Sequence, residues 1–408
     1  MTSLGNPFLT KITREGLRNG LTRSGPEDDN ADIYFEEVRL QAPTDQMRGA
    51  YVMPLVTLRT APCRWAESSG CTMCGYHLGA ASEMATPDQL VRQTEDAMSR
   101  LDPRIYPALV FTSNGSFLDP REVPDDLRPR LMGMLARRGY QTVVIETRAQ
   151  FVTSERLQDL AQGFGILGKG GDCGKTLSVS LGLESCDPFV LAYCVNKGSG
   201  PEENFRAINL VKAEGLCFDC YVLLGKLFLS AREDIKDACR SIAIAVDRGT
   251  DYVFVMVTNL TRFSLMGHLV DKGRVTLPSL WRAVDLLDAL PEALRDKVQI
   301  KGISHAPVGP EKYSETCPNC THRVKDALNF WNQTGDFEHI SRLERCSCYQ
   351  DYLNEEWNTE PTAALFERVF EQYQMLAQDF KIDARLAPNL DDLRTAFEQS
   401  RQTEPSSL

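Results

Sequence analysis

At 408 residues the chain can hold one large barrel or α/β sheet plus an appendage, and 42% hydrophobic with 25% charged residues excludes extended disorder away from the ends. A formal charge of −11 excludes a protein that grips nucleic acid by a broad basic face, leaving a small-molecule substrate or a nucleic acid presented by a partner. No run approaches ~18 uninterrupted apolar residues and the N-terminus lacks an apolar signal core, so a cytoplasmic protein without membrane contact is expected, whose 13 cysteines are free thiols or metal ligands.

Residues 1–50 read as a polar N-terminal extension, a short helix followed by a loop at Ser24-Gly25-Pro26 and Glu27-Asp28-Asp29. From Tyr51 the pattern changes. Strands are predicted over Val52–Leu58, Ala108–Thr112, Thr142–Glu146, Leu177–Gly182, Phe218–Leu224 and Tyr252–Val257. Amphipathic helices fall between them, over Pro87–Ser99, Asp126–Arg138, Ser154–Gln162, Phe205–Glu214 and Ala231–Arg248. Continuous Val, Ile and Leu runs suit strands buried on both faces, so residues 51–275 are expected to form an α/β partial (β/α)6 parallel barrel, with its chemistry in the loops at the carboxyl ends of the strands. Beyond that point the sequence predicts a helix over Leu277–Leu290, a strand over Val298–Ile303, a cysteine-bearing segment and a helical tail frayed from Gln399. Residues 276–408 are read as a C-terminal cysteine-rich, metal-binding appendage.

The loop after the first strand runs Cys63-Arg64-Trp65-Ala66-Glu67-Ser68-Ser69-Gly70-Cys71-Thr72-Met73-Cys74-Gly75-Tyr76. Three thiolates spaced C-x7-C-x2-C can wrap a 4Fe-4S cubane and leave one iron without a protein ligand, open to the amino and carboxylate groups of S-adenosylmethionine (SAM). Three cysteines plus His77 also make a complete zinc donor set, the bland alternative.

This loop resembles that of the radical SAM superfamily. The seven-residue first gap departs from the commonest C-x3-C-x2-C spacing, and the Cys-Thr-Met-Cys-Gly-Tyr wording is similar to the branch containing the archaeosine-synthase radical subunit. The resemblance implies SAM-binding roles for Tyr76 and for elements after later strands. Thr112-Ser113-Asn114-Gly115-Ser116 stands where the family has its glycine-rich motif, with Asn114, Gly115 and Ser116 beside the SAM amino group and Ser116 where the motif has an acid. Glu146-Thr147-Arg148 resembles an element shared with elongator-type radical SAM proteins; Glu146 and Arg148 could address the two ends of a zwitterion. Gly182-Leu183-Glu184-Ser185, followed by Asn196-Lys197-Gly198, resembles the segment whose acid, here Glu184, contacts the SAM ribose.

Other strings carry less. Gly168 to Thr176 imitates a phosphate loop but has Lys169 where the motif requires Gly, so it reads as a plain loop. Cys217 and Cys220 lie in a strand, where positions three apart face opposite ways, and read as buried thiols. Cys173, Cys186, Cys194 and Cys239 have no partner at ligand spacing.

Cys317-Pro318-Asn319-Cys320 and Cys346-Ser347-Cys348 form a second metal site, flanked by His305 and His322. C-P-x-C suits zinc and C-x-C leaves room for an auxiliary 4Fe-4S cluster, so both remain open.

The expected activity is that of a radical SAM iron-sulfur enzyme: reductive SAM cleavage to a 5′-deoxyadenosyl radical that takes a hydrogen from a nucleoside-type substrate. The resemblance implies C–N lyase chemistry on partner-presented tRNA, with a flavodoxin or ferredoxin as reductant. The alternatives are a transferase that inserts sulfur into a nucleoside-like metabolite from a sacrificial C-terminal cluster and, from another class, a non-catalytic metal-stapled binding protein. Thr258 and Asn259 are expected at the mouth, and no residue is assigned a chemical step.

Overall fold

The computed structural model describes residues 6–18, 30–40, 49–81, 83–166, 174–303, 310–357 and 361–402. The acidic loop near Glu27, the pseudo-phosphate loop from Gly168 to Cys173 and His305 lie outside them. Eight strands make one sheet in the order β1 (Asp32–Leu40), β2 (Gly49–Leu58), β3 (Ala108–Ser113), β4 (Thr142–Thr147), β5 (Thr176–Glu184), β6 (Cys217–Leu224), β7 (Tyr252–Val257) and β8 (Val298–Lys301). β2 to β8 are all parallel and β1 runs antiparallel along β2.

In chain order the helices are α1 (Pro7–Lys11, running on as a wider turn to Leu17), α2 (Arg64–Ser68), α3 (Pro87–Arg100), α4 (Arg128–Arg138), α5 (Ser154–Phe164), α6 (Pro201–Ala213), α7 (Ala231–Asp247), α8 (Leu265–Asp271), α9 (Trp281–Ala289), α10 (Glu292–Arg295), α11 (Pro318–Thr334), α12 (Glu338–Ser341), α13 (Ser347–Tyr352), α14 (Leu365–Asp379) and α15 (Leu390–Gln402). Their starts follow from local chemistry. Thr86 with Gln89 and Ser230 with Glu233 form reciprocal caps on α3 and α7, and Pro129 and Pro201 sit in first turns, where the missing N–H is no loss.

The parallel strands are buried on both sides, as their unbroken apolar runs predict. Outward residues such as Phe111, Val143, Ile145, Val179, Phe218 and Val255 join helix residues in the main core, while Met53, Leu55, Ala108, Val110 and Val144 fill the inside of the curl. Truncating one of these Leu or Met residues to Ala would cost about 2–5 kcal/mol.

Two elements differ from the sequence reading. Within residues 1–50, β1 is a nine-residue strand, and the strand after residue 276 joins the sheet as β8, so the sheet draws on both stretches read as flanking it. The curl brings these two edge strands together. The Gln299 side-chain amide accepts from the Arg39 N–H (3.1 Å) and donates to the Arg39 carbonyl (2.8 Å), mimicking a ladder partner, and Lys301 Nζ meets Glu36 at 2.7 Å. Outside this seam lies α11, whose Asn332 side chain pairs with both backbone groups of Ile300 and whose Trp331 indole donates to the Val298 carbonyl. Arg39 donates to the Trp331 carbonyl and sits 4.9 Å over its ring. Among the described residues no helix is long and apolar enough to cross a membrane.

Candidate functional site

The cysteine loop leaves the carboxyl end of β2. Its long first gap has a local explanation: Cys63 is the N-cap of α2, so most of the extra residues are spent on one short helix that turns Trp65 inward. The Trp65 indole donates to the Asn196 carbonyl at 2.8 Å, and Gly198, at φ +71°, lies flat against the ring; a Cβ there would fall 2.5 Å from it. Asn196, left-handed at φ +53°, ends the turn after β5 and donates to Ser69 Oγ and the Gly70 carbonyl. Thr72 bonds the Val195 and Cys194 carbonyls, Thr261 Oγ1 donates to the Met73 carbonyl, and Arg18 donates to the Ala66 and Cys74 carbonyls. The loop is thereby clamped from three sides, and α1, the short helix expected near the start of the chain, forms one jaw with its extension through Thr10 and Thr13 on Ser69, a contact the sequence did not indicate.

Cys63, Cys71 and Cys74 lie close enough to influence one another's ionisation. Burial pushes the Cys63 thiol up, and burial followed by the nearby Cys71 pushes the Cys74 thiol up to about 12. Both hold their protons at neutral pH until a cation displaces them. Among the described residues, ligand atoms converge within 4.8 Å of one another at the C-terminal cysteines and not at this loop with His77.

The loop after β3 packs straight onto Cys63. A Cβ on Gly115 would lie 2.5 Å from Cys63 Cβ, 2.6 Å from Cys63 Cα and 2.5 Å from Glu122 Oε1, so this residue must be glycine. Glu122, absent from the sequence reading, holds the turn: its Oε2 accepts from Ser113 Oγ (2.6 Å) and the Ser116 N–H (2.8 Å), and burial raises its carboxyl to about 7. Asn114 donates to the Gly79 carbonyl, and Ser116 Oγ meets Thr147 Oγ1 at 2.6 Å and accepts from the Arg148 N–H. The elements after β3 and β4, Asn114 to Ser116 and Glu146 to Arg148, are thus joined.

Arg148 is buried and Glu146 half-buried, and the two side chains go separate ways. Arg148 donates to the Lys197 carbonyl (2.7 Å) and lies 5.6 Å over Trp65. Glu146 faces the lumen, where Tyr221 Oη donates to it at 2.6 Å; burial raises its pKa, and the Tyr221 bond opposes that. Tyr76 is raised by burial first and then by Glu146, which places it at the same end of the lumen with Cys74 and Glu184 nearby. Glu184 stands at φ +63°, uncommon for a non-glycine residue, where a register shift interrupts the pairing of β5 with β6. It forms a buried 2.8 Å pair with Lys197. Asn259 ties the ends of β7 and β8 through the Gly302 carbonyl, and Thr258 is buried beside it.

The sequence reading missed the lumen wall: Tyr221, Glu36 and Lys301, with Phe254 packed on Tyr221 at 5.3 Å and under Lys301 at 5.4 Å. The available signal was a polar residue inside an otherwise apolar strand, such as Tyr221 in Cys217–Leu224 or Lys301 in Val298–Lys301. Cys217 is half-buried and Cys220 fully buried on β6, and Cys186, Cys194 and Cys239 stand apart from both cysteine groups. His322 is exposed on α11 and outside the C-terminal group. In that group Cys317, Cys320, Cys346 and Cys348 converge, with Sγ separations of 3.7 Å (317 to 346), 3.0 Å (320 to 346) and 3.2 Å (346 to 348).

The chain thus builds a parallel sheet with a three-cysteine loop at the carboxyl end of its first parallel strand, the arrangement that the resemblance to radical SAM proteins implies. No family model matches it. It is related to archaeosine synthase subunit beta: the Methanosarcina acetivorans protein is 29% identical over 310 residues, covering 75% of this chain and 85% of that one. The Thermococcus kodakarensis protein of the same name is 28% identical over 308 residues, covering 74% and 91%. Among solved structures, archaeal Elp3 from Methanocaldococcus infernus overlaps 60% of this chain and 61% of its own at TM-score 0.44 and 15% identity.

Proposed function

We propose that Cys63, Cys71 and Cys74 bind a 4Fe-4S cluster, that SAM binds against it, and that the enzyme acts on a nucleoside-type substrate in the lumen, by C–N cleavage on a modified 7-deazaguanine of tRNA. The observation that carries this reading is the clamped three-thiol loop at the end of the lumen bearing Tyr76 and Glu146. A cluster held by these three cysteines would supply one-electron reductive cleavage of SAM.

The chain's own residues bind and orient. Gly115 lets the turn lie on Cys63, and Asn114 to Ser116 offer backbone groups to the SAM amino group. Glu184, fixed by Lys197, is placed for vicinal hydroxyls, and Trp65 with Arg148 holds the turn carrying Lys197. Glu146 and Tyr221 form a hydrogen-bonded pair that presents a carboxyl to the substrate side, and the closed seam between β1 and β8 leaves the carboxyl mouth as the way in. The related archaeosine synthase subunits favour tRNA, and the net charge of −11 makes a partner that presents the RNA part of the proposal. A flavodoxin or ferredoxin is the proposed electron donor. Sulfur insertion is the alternative; it would require a cubane at the C-terminal cysteines, and their ligand atoms within 4.8 Å of one another favour a single ion.

The test is anaerobic: the reconstituted, reduced protein is given SAM with and without tRNA carrying the lysine adduct. Formation of 5′-deoxyadenosine that rises with this tRNA supports the reading, and cleavage indifferent to it refutes the substrate.

A further inference from the structure

We propose that Cys317, Cys320, Cys346 and Cys348 hold a single zinc ion, and that this ion anchors the helix sealing the barrel seam. Four thiolates around one tetrahedral zinc at about 2.3 Å stand about 3.8 Å apart. The sulfurs here lie within 4.8 Å of one another, with separations of 3.0, 3.2 and 3.7 Å, a pocket sized for one ion. A cubane puts each thiolate on a different iron and spreads them further. Four thiolates also fill the tetrahedron, so no position stays open for substrate and the metal serves structure.

The surroundings suit a charged tetrathiolate. The Trp281 indole donates to Cys348 Sγ (3.2 Å), Arg323 to Cys320 Sγ (3.3 Å) and the Cys348 N–H to Cys346 Sγ (3.3 Å). These groups come from α9, α11 and α13, so the ion would join three helices that also pack in the main core. Cys317 is the N-cap of α11 and Cys346 that of α13. At its other end α11 carries Trp331 and Asn332, which bond β8, and the Trp331 carbonyl that receives Arg39 of β1. Fixing the first turn of α11 therefore steadies the seam some four turns away.

The proposal stands apart from the radical reading, and one set of proteins separates the two. Metal analysis of the anaerobically reconstituted full chain should find about one zinc beside about four irons. Cys346→Ala should lose the zinc, keep the iron and speed amide exchange across 318–334 on the order of tenfold. Cys63→Ala should do the converse, keeping zinc and losing iron. Should Cys346→Ala not fold, zinc-edge X-ray absorption on the unmodified holoprotein decides: four sulfur scatterers at about 2.3 Å support the site. About eight irons with none lost in Cys63→Ala beyond four, a lone iron in the tetrathiolate, a disulfide, or no metal there would each overturn it.

Discussion

Replacing Gly115 with Ala tests the contact between the turn after β3 and the cysteine loop. The added carbon would sit 2.5 Å from Cys63 Cβ and 2.6 Å from Cys63 Cα, while ordinary contact begins at 3.4 Å. The overlap of about 0.9 Å falls partly on backbone, so a side-chain rotation cannot relieve it, and Glu122 Oε1 at 2.5 Å blocks retreat on the other side. Overpacking of this kind costs about 1–3 kcal/mol, a melting-temperature loss of a few degrees in a chain this long, so the fold survives. A cluster ligand displaced by that distance exceeds the tolerance of about 0.5 Å for a functional site. Iron after anaerobic reconstitution should therefore fall by more than half, with the visible absorbance of the cluster, while circular dichroism stays native. Gly200→Ala, whose added carbon meets nothing within 4 Å, is the control and should bind iron normally. Full iron and an unchanged spectrum in Gly115→Ala would refute the close-approach argument.

Trp65→Ala removes the ring that α2 inserts against Gly198 and should destabilise the loop by about 3–5 kcal/mol, lowering iron content, whereas Trp65→Phe loses mainly the bond to the Asn196 carbonyl, about 1 kcal/mol, and retains the cluster; equal iron in both variants would contradict this. Lys301→Met strands the partly buried Glu36 carboxylate and should cost about 1–3 kcal/mol in thermal melts, with Glu36→Gln added recovering most of it; a double variant no better than the single one would count against the seam pair. Asp219, on β6 with Ser178 donating to it, has its carboxyl raised to about 7 by burial, so its folded value exceeds its unfolded one of 3.8. The associated stability is fully present below 3.8 and lost as pH rises through about 7; melting temperature should accordingly drop between pH 5 and 8 by a few degrees less in Asp219→Asn than in the parent, and parallel profiles would show that Asp219 does not titrate there.

The six central strands were legible because a strand covered on both faces writes an unbroken apolar run, and Tyr252–Val257 matches to the residue. β1 escaped because Asp32–Leu40 mixes charged residues among its apolar ones, as an edge strand does. β8 was found but set in the appendage, since four residues and a metal-spaced cysteine segment after it gave no hint that Gln299 and Lys301 reach across to Arg39 and Glu36. The convergence of the C-terminal four cysteines was legible from their spacing alone. Their geometry was not: the spacing of Cys346 and Cys348 leaves zinc and cluster open and does not give the sulfur separations. Lumen groups such as Tyr221 and the supporting Glu122 stayed hidden because one sequence does not reveal which polar side chains inside strands or turns face inward.

The claim that the loop thiols carry SAM chemistry is tested most directly by measuring 5′-deoxyadenosine from SAM under anaerobic reduction, comparing the reconstituted protein with a variant in which Cys63, Cys71 and Cys74 are all alanine. The parent should form 5′-deoxyadenosine and the variant none, while the variant keeps its C-terminal metal. Equal amounts from both would contradict the account.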